Sequence, residues 1–219
     1  MNRITEIAEK HSLYLVEDAA HAPGSEVQGR KLGTIGSAGC FSFFPNKNMS
    51  TGEGGLVATG DDSIAARIRA ARSHSMTTLT WDRVRGHAHS YDVTDLGFNY
   101  RIDEIRSAIG LVQLGRLDEN NRQRRALMDY YLTKLRNFDS ITVPFFPVVG
   151  SSACHICPLL LSPGIDRAAL MTGMKERGIQ TSIHYPPVHL FSYYRDRFGF
   201  REGSLPRTET ITDREVTLP

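Results

Sequence analysis

The chain has 219 residues, 40% hydrophobic and 23% charged, which is the composition of an ordinary globular protein able to bury a core. Its 26 basic and 24 acidic residues leave a formal charge of +2, so charge gives no argument for nucleic acid or a membrane surface as partner. No apolar run approaches the roughly 20 residues needed to span a bilayer. The opening MNRITEIAEK lacks the apolar centre of a signal peptide, and an odd number of cysteines (three) suits a reducing compartment; a cytoplasmic location is the expectation.

In chain order, Ile4, Ile7 and Ala8 fall at helical spacing, with a stop expected at His11–Ser12. LYLVEDAA (13–20) reads as a buried strand with Asp18 at its carboxyl end, the edge where open α/β sheets bind ligands. A turn-rich stretch, PGSEVQGRKLG (23–33), leads to a second strand, AGCFSFF (38–44), and a third short run, GLVAT (55–59). DDSIAARIRAAR (61–72) opens with aspartates able to cap a helix and puts Ile64, Ala65, Ile68 and Ala71 on one face. Residues 74–101 lack periodicity and are rich in Thr, His and Gly, a pattern typical of a functional or mobile segment.

Further on, Ile105, Ile109, Val112, Met128, Tyr131 and Leu135 mark one long helix, or two joined near DENN (118–121). Within it, RQRR (122–125) reads as a solvated face. A shift in composition over 137–152 predicts a domain boundary, giving a large domain over 1–137 and a small α+β domain over 138–219. The small domain is expected to run strand (156–161), helix (166–178, stopped by Gly178) and strand (179–185). Cys154 and Cys157 form a single CxxC followed by an apolar run, so strand packing is preferred over a metal or redox role.

The run SFFPNKNMSTGEGG (42–55) carries the chemistry. Lysine points into solvent in most proteins, yet Lys47 sits between an apolar strand and a glycine-rich turn. A free lysine amine has a pKa of about 10.4 and is a poor nucleophile; in a partly desolvated site it can form a Schiff base with a carbonyl. Pyridoxal phosphate needs such a lysine, a carboxylate for its ring nitrogen, and hydroxyls around its phosphate. Asp18, Ser42 and Lys47, in that order, can supply all three, and glycines 52, 54 and 55 let the backbone bend tightly beside a cofactor. The alternative is that Asp18 caps a turn, Ser42 is incidental and Lys47 is exposed. A phosphate-loop reading fails, since neither GxxxxGK[ST] nor a helix-opening GxGxxG is present.

The segments EDAAHAPGS (17–25), FSFFPNKNMSTGEGG (41–55), RSHSMTT (72–78), LGFNYRIDEIRSAIGLVQL (96–114) and GIQTSIHYPPVH (178–189) together resemble the DegT/DnrJ/EryC1/StrS aminotransferases. These are fold-type I pyridoxal-phosphate enzymes that aminate nucleotide-linked keto sugars. The resemblance implies an α/β fold: an incomplete large cofactor domain followed by a small α+β domain. Residue by residue, it implies that Lys47 carries the cofactor, Asp18 meets its pyridine nitrogen, Ser42 binds its phosphate, and His21 lies beside its phenolic oxygen, where many relatives have glutamine. Asn99 is similar to an asparagine that reaches the phosphate of a neighbouring subunit, which implies a homodimer with shared sites. Arg101, His184 and Tyr185 fall in segments that line the substrate cavity of relatives.

The implied reaction moves an amino group, from glutamate, to a keto carbon of a nucleotide-linked sugar. Family members are longer. Their glycine/threonine/alanine phosphate loop and their ring-stacking aromatic have no counterpart here, so a catalytically incomplete chain or a non-catalytic assembly subunit is the rival expectation. A related sugar dehydratase is disfavoured, because those members replace the lysine with histidine.

Overall fold

The computed structural model describes residues 1–78, 86, 90–146 and 148–219. Much of the segment expected to be irregular, 79–85 and 87–89, lies outside the described residues. The chain divides into two compact units, one formed by Met1–Arg122 with Val149–Ala153 and the other by Gln123–Val148 with Cys154–Pro219.

The first unit opens with α1 (Asn2–Lys10), which ends at His11 as its sequence predicts. Of its apolar residues only Ala8 is buried; Ile4 and Ile7 stay about half exposed. A three-stranded sheet follows, in the order β1 (Val16–Asp18), β4 (Ala38–Ser42), β5 (Gly55–Ala58). β1 and β4 are parallel; β4 and β5 are antiparallel. Between β1 and β4 the turn-rich stretch makes a small hairpin, β2 (Glu26–Val27) and β3 (Arg30–Lys31). Gln28 and Gly29, at its tip, both have positive φ, the conformation that matches a two-residue turn to the twist of its strands.

The two faces of the β1/β4 pair differ. Glu17, opposite Gly39, turns to one face, where its carboxylate accepts the N–H groups of Gly33, Ile35 and Gly36 at 2.7, 2.6 and 2.7 Å. Three charge-assisted bonds satisfy a buried glutamate that would otherwise be costly to desolvate. The loop presses so close that a Cβ on Gly39 would stand 2.0 Å from the Gly33 carbonyl oxygen, leaving room for glycine alone. Asp18, one residue on, turns to the other face and is exposed.

α2 (Asp62–Ala71) is capped as expected: Asp61 Oδ1 accepts from Ser63 N and Ile64 N. One continuous helix, α3 (Glu104–Leu135), replaces the two-helix alternative. Its buried positions, Gly110, Leu117, Asn121 and Met128, recur at intervals of seven and four residues and form one stripe. Ile105, Ile109 and Val112 lie off that stripe and are exposed. Among the described residues no helix is long and apolar enough to cross a membrane.

The second unit holds an antiparallel sheet in the order β6 (Ile141–Thr142), β7 (Cys157–Leu161), β8 (Glu215–Leu218). β7 buries Cys157, Leu159 and Leu161, alternating with half-buried neighbours. Cys157 and Leu159 join Met128 in a core flanked by Tyr131, Leu135 and Ile141. Cys157 is therefore a packing residue. Burial, reinforced by the nearby Cys154, raises its thiol to about 11.

The helix expected over 166–178 is α4 (Arg167–Glu176), capped by Asp166 and followed by Gly178 at positive φ. The strand expected over 179–185 does not form. Residues there make a single bridge, Ser182 to Thr217, on the edge of β8, and Pro186–Pro187 then removes the donors a ladder would need. A 3₁₀ turn (Val188–Leu190), α5 (Ser192–Phe198) and α6 (Pro206–Arg214) complete the unit. Buried His189 bonds Glu209 at 2.9 Å, and Glu209 also accepts the N–H groups of Gly203 and Leu205, which ties the turn before α6 to its first helical turns.

Candidate active site

Two of the expected residues, Asp18 and Ser42, share a face of the first unit's sheet, and a third, Lys47, lies in the loop that follows β4. The β1/β4 register sets Asp18 opposite Cys40, and Ser42 lies two residues further along β4. Because side chains alternate along a strand and match across a parallel pair, Asp18, Cys40 and Ser42 share one face. From strand spacing, the Cα atoms of Asp18 and Ser42 stand roughly 8 Å apart. Asp18 Oδ1 accepts the Ala20 N–H at 3.1 Å, so its carboxylate is steered toward the carboxyl end of the strand. Ser42 Oγ takes the Phe44 N–H at 3.3 Å.

Lys47 lies in the loop joining β4 to β5 and is half-buried. The loop is closed at its neck by Phe43 N to Gly54 O at 2.9 Å and Thr51 N to Phe43 O at 3.0 Å. Gly52 (φ +81°) and Gly54 (φ +153°) take backbone conformations that side chains resist, which is why glycines cluster there. Lys47 N donates to Phe44 O at 3.0 Å, a tight turn that fixes the direction of the side chain's origin.

What anchors the loop was not visible in the sequence. Asn48, immediately after the lysine, is buried and donates through Nδ2 to Asn121 Oδ1 at 2.8 Å and to the Ala153 carbonyl at 2.7 Å. Asn121, on α3 and 1% exposed, donates in turn to the Pro23 carbonyl at 2.8 Å. Ala153 N donates to Ser25 Oγ at 2.8 Å. Two side-chain amides thus bind the Lys47 loop to α3, to residues 23–25 after His21, and to residue 153. Gly24 (φ +83°) is required here, because a Cβ would stand 2.5 Å from Asn121 Nδ2. Gly110 lets the same helix approach Thr51 and Met49. His21 itself is half-buried in the turn after β1.

Asn99 and Arg101 sit elsewhere in the unit. Asn99 is bridged to Ser73 after α2 and accepts the Arg101 Nε–H at 3.2 Å. Arg101 lines a cavity of about 1080 Å³ along the outer edge of β5, with Leu56, Val57, Ile68 and Tyr100. That cavity includes neither Asp18, Ser42 nor Lys47. The cavity is lined by apolar side chains, by the guanidinium groups of Arg69, Arg72, Arg101 and Arg106, and by Glu53.

In the second unit, His184 and Tyr185 precede the two prolines, their rings 4.9 Å apart and edge-on. His184 N donates to Glu215 Oε2 at 2.8 Å, and its Nδ1 lies 2.9 Å from Thr217 Oγ1. No cluster of histidine, cysteine or carboxylate side chains able to hold a metal occurs among the described residues.

The arrangement defines a class. The profile of the DegT/DnrJ/EryC1/StrS aminotransferase family matches residues 1–219, and the chain belongs to that family, whose members use pyridoxal phosphate. Its fold is a partial fold-type I aminotransferase.

Among particular relatives, the chain is 34% identical over 224 residues to the spore coat polysaccharide biosynthesis protein SpsC of Bacillus subtilis, covering 100% of this chain and 58% of SpsC. It superposes on Helicobacter pylori PseC, an aminotransferase involved in the biosynthesis of pseudoaminic acid, with a TM-score of 0.88 and 28% identity, over 98% of this chain and 56% of PseC. On DesV of S. venezuelae the TM-score is 0.87 with 34% identity, over 100% and 56% of the two chains. The chain thus spans little more than half the length of the proteins it matches.

Proposed function

We propose that this chain carries the lysine-bearing part of a pyridoxal-phosphate-dependent aminotransferase that moves an amino group from glutamate to the keto carbon of a nucleotide-linked sugar. The observation that carries it is the shared face of Asp18 and Ser42, with Lys47 in the glycine-bent loop that follows Ser42. The donor set fits the cofactor: an exposed carboxylate for a pyridinium N–H, a hydroxyl for a phosphate oxygen, and an amine for an aldehyde. When bound, the cofactor supplies a ring that accepts electrons from the donor's carbon.

The residues of the chain do the rest. Asp18 would hold the proton on the ring nitrogen. Ser42 would bind a phosphate oxygen, and Asn99 would do so toward a second copy of the chain, making a homodimer. His21 would lie beside the phenolic oxygen. Lys47 would hold the cofactor and, once displaced by the donor amine, carry a proton on Nζ between the reacting carbons. Arg101 is proposed to contact the substrate, as are His184 and Tyr185 in the second unit. The expected setting is the cytoplasm.

The test is transfer of labelled nitrogen. The protein, supplied with pyridoxal phosphate, nitrogen-labelled glutamate and a panel of nucleotide-linked keto sugars, should yield a labelled amino sugar by mass spectrometry. Label that stays in glutamate across the panel contradicts the proposal.

A further inference from the structure

In the second unit the Ser182–Thr217 bridge brings the segment carrying His184 against β8, with backbone bonds of 3.0 and 2.8 Å. Three polar groups then meet in a chain. The Thr217 hydroxyl donates to Glu215 Oε1, Glu215 Oε2 accepts the His184 N–H at 2.8 Å, and His184 Nδ1 lies 2.9 Å from Thr217 Oγ1. Glu215 and Thr217 are buried, 7% and 3% exposed, so water cannot readily replace either partner.

Counting protons decides the direction of the chain. A carboxylate has lone pairs only, and a hydroxyl has one proton. With that proton given to Glu215, Thr217 Oγ1 can only accept from the ring, so Nδ1 must carry hydrogen. In a neutral imidazole the other nitrogen is then bare. Among the described residues Nε2 has no hydrogen-bond partner.

We propose that Glu215 and Thr217 are positioning residues that hold neutral His184 as its Nδ1–H tautomer and present Nε2 as a hydrogen-bond acceptor. His184 would then select a ligand group that donates, such as a sugar hydroxyl or an amine, and disfavour a bare carboxylate or phosphate oxygen. That selection rests on the proposed role of His184 at the substrate; the tautomer does not.

The experiment is nitrogen–proton correlation NMR on histidine-labelled protein in alkaline buffer, where an imidazole is neutral. The His184 signal is assigned by its loss in His184→Gln. The wild-type protein should show Nδ1 protonated and Nε2 bare, and Thr217→Ser, which keeps the hydroxyl, should match it. Glu215→Gln should reverse the chain. Its amide oxygen takes the His184 N–H, its NH₂ donates to Thr217, and the hydroxyl turns to Nδ1, so the proton moves to Nε2.

Should Glu215→Gln fail to fold, Thr217→Val serves instead, and the preference for Nδ1–H should be lost. A wild-type signal with Nε2 protonated overturns the proposal, as does a Glu215→Gln or Thr217→Val signal identical to wild type. Labelling of Lys47 is read separately, so failure of the aminotransferase reading and failure of this one are distinguishable.

Discussion

Asn48 Nδ2 donates to Asn121 Oδ1 at 2.8 Å, joining the residue after Lys47 to a helix position 73 residues away. Both side chains are buried; Asn48 Nδ2 also donates to the Ala153 carbonyl, and Asn121 Nδ2 donates to the Pro23 carbonyl. A loop rich in glycine is held by one amide of its own and one from α3. That is how a flexible turn can present one amine in one place.

Replacing Asn121 with alanine strands the Pro23 carbonyl and removes one acceptor from Asn48. Leaving buried polar groups without partners costs about 1–3 kcal/mol. Chemical denaturation of Asn121→Ala should show a loss of that size. Reaction of Lys47 with an aldehyde should fall as well, under conditions where the variant is still folded. A variant as stable as wild type, with unchanged Lys47 reactivity, would remove the loop anchor from the account.

Glu17 offers a second test. Glu17→Gln keeps the shape but sets an N–H against amide donors and removes the charge that strengthens three bonds. A destabilisation of about 1–3 kcal/mol is expected. Hydrogen exchange should accelerate at Gly33, Ile35 and Gly36 more than at the amides of β7.

Cys157 governs an alkaline limb of stability. Burial raises the folded thiol from 9.0 to about 11, so between those values the unfolded chain loses a proton that the folded chain keeps. Its contribution is complete below pH 9 and declines as pH rises through about 11. Cys157→Ala should flatten that limb. At mildly alkaline pH, alkylation should mark exposed Cys40 well before Cys157.

How much of this was legible in the sequence differs by region. Where local chemistry decides, the reading held: Asp61 caps α2, Gly178 follows α4, and β4 and β5 flank the glycine turn. Membership of the family was legible too, because motifs such as FSFFPNKNMSTGEGG lie contiguously along the chain. The Asn48–Asn121 contact was not, since two asparagines far apart carry no periodicity that could announce their pairing.

In the last third the strand expected over 179–185 was misread. Residues 215–218 form a strand because β7 offers them an edge, and residues 179–185 do not because two prolines end their only chance of a ladder. α6 did leave one signal that went unused, a proline at the start of the helix.

The account turns on Lys47 and is best tested by trapping. The protein is mixed with pyridoxal phosphate, reduced with borohydride and digested, and the modified lysine is mapped by mass spectrometry. The account predicts one dominant adduct, on Lys47 rather than on Lys10, Lys31, Lys134 or Lys175, with its yield reduced in Asp18→Asn. Modification spread over those four lysines, with Lys47 no more reactive than the rest, would contradict it.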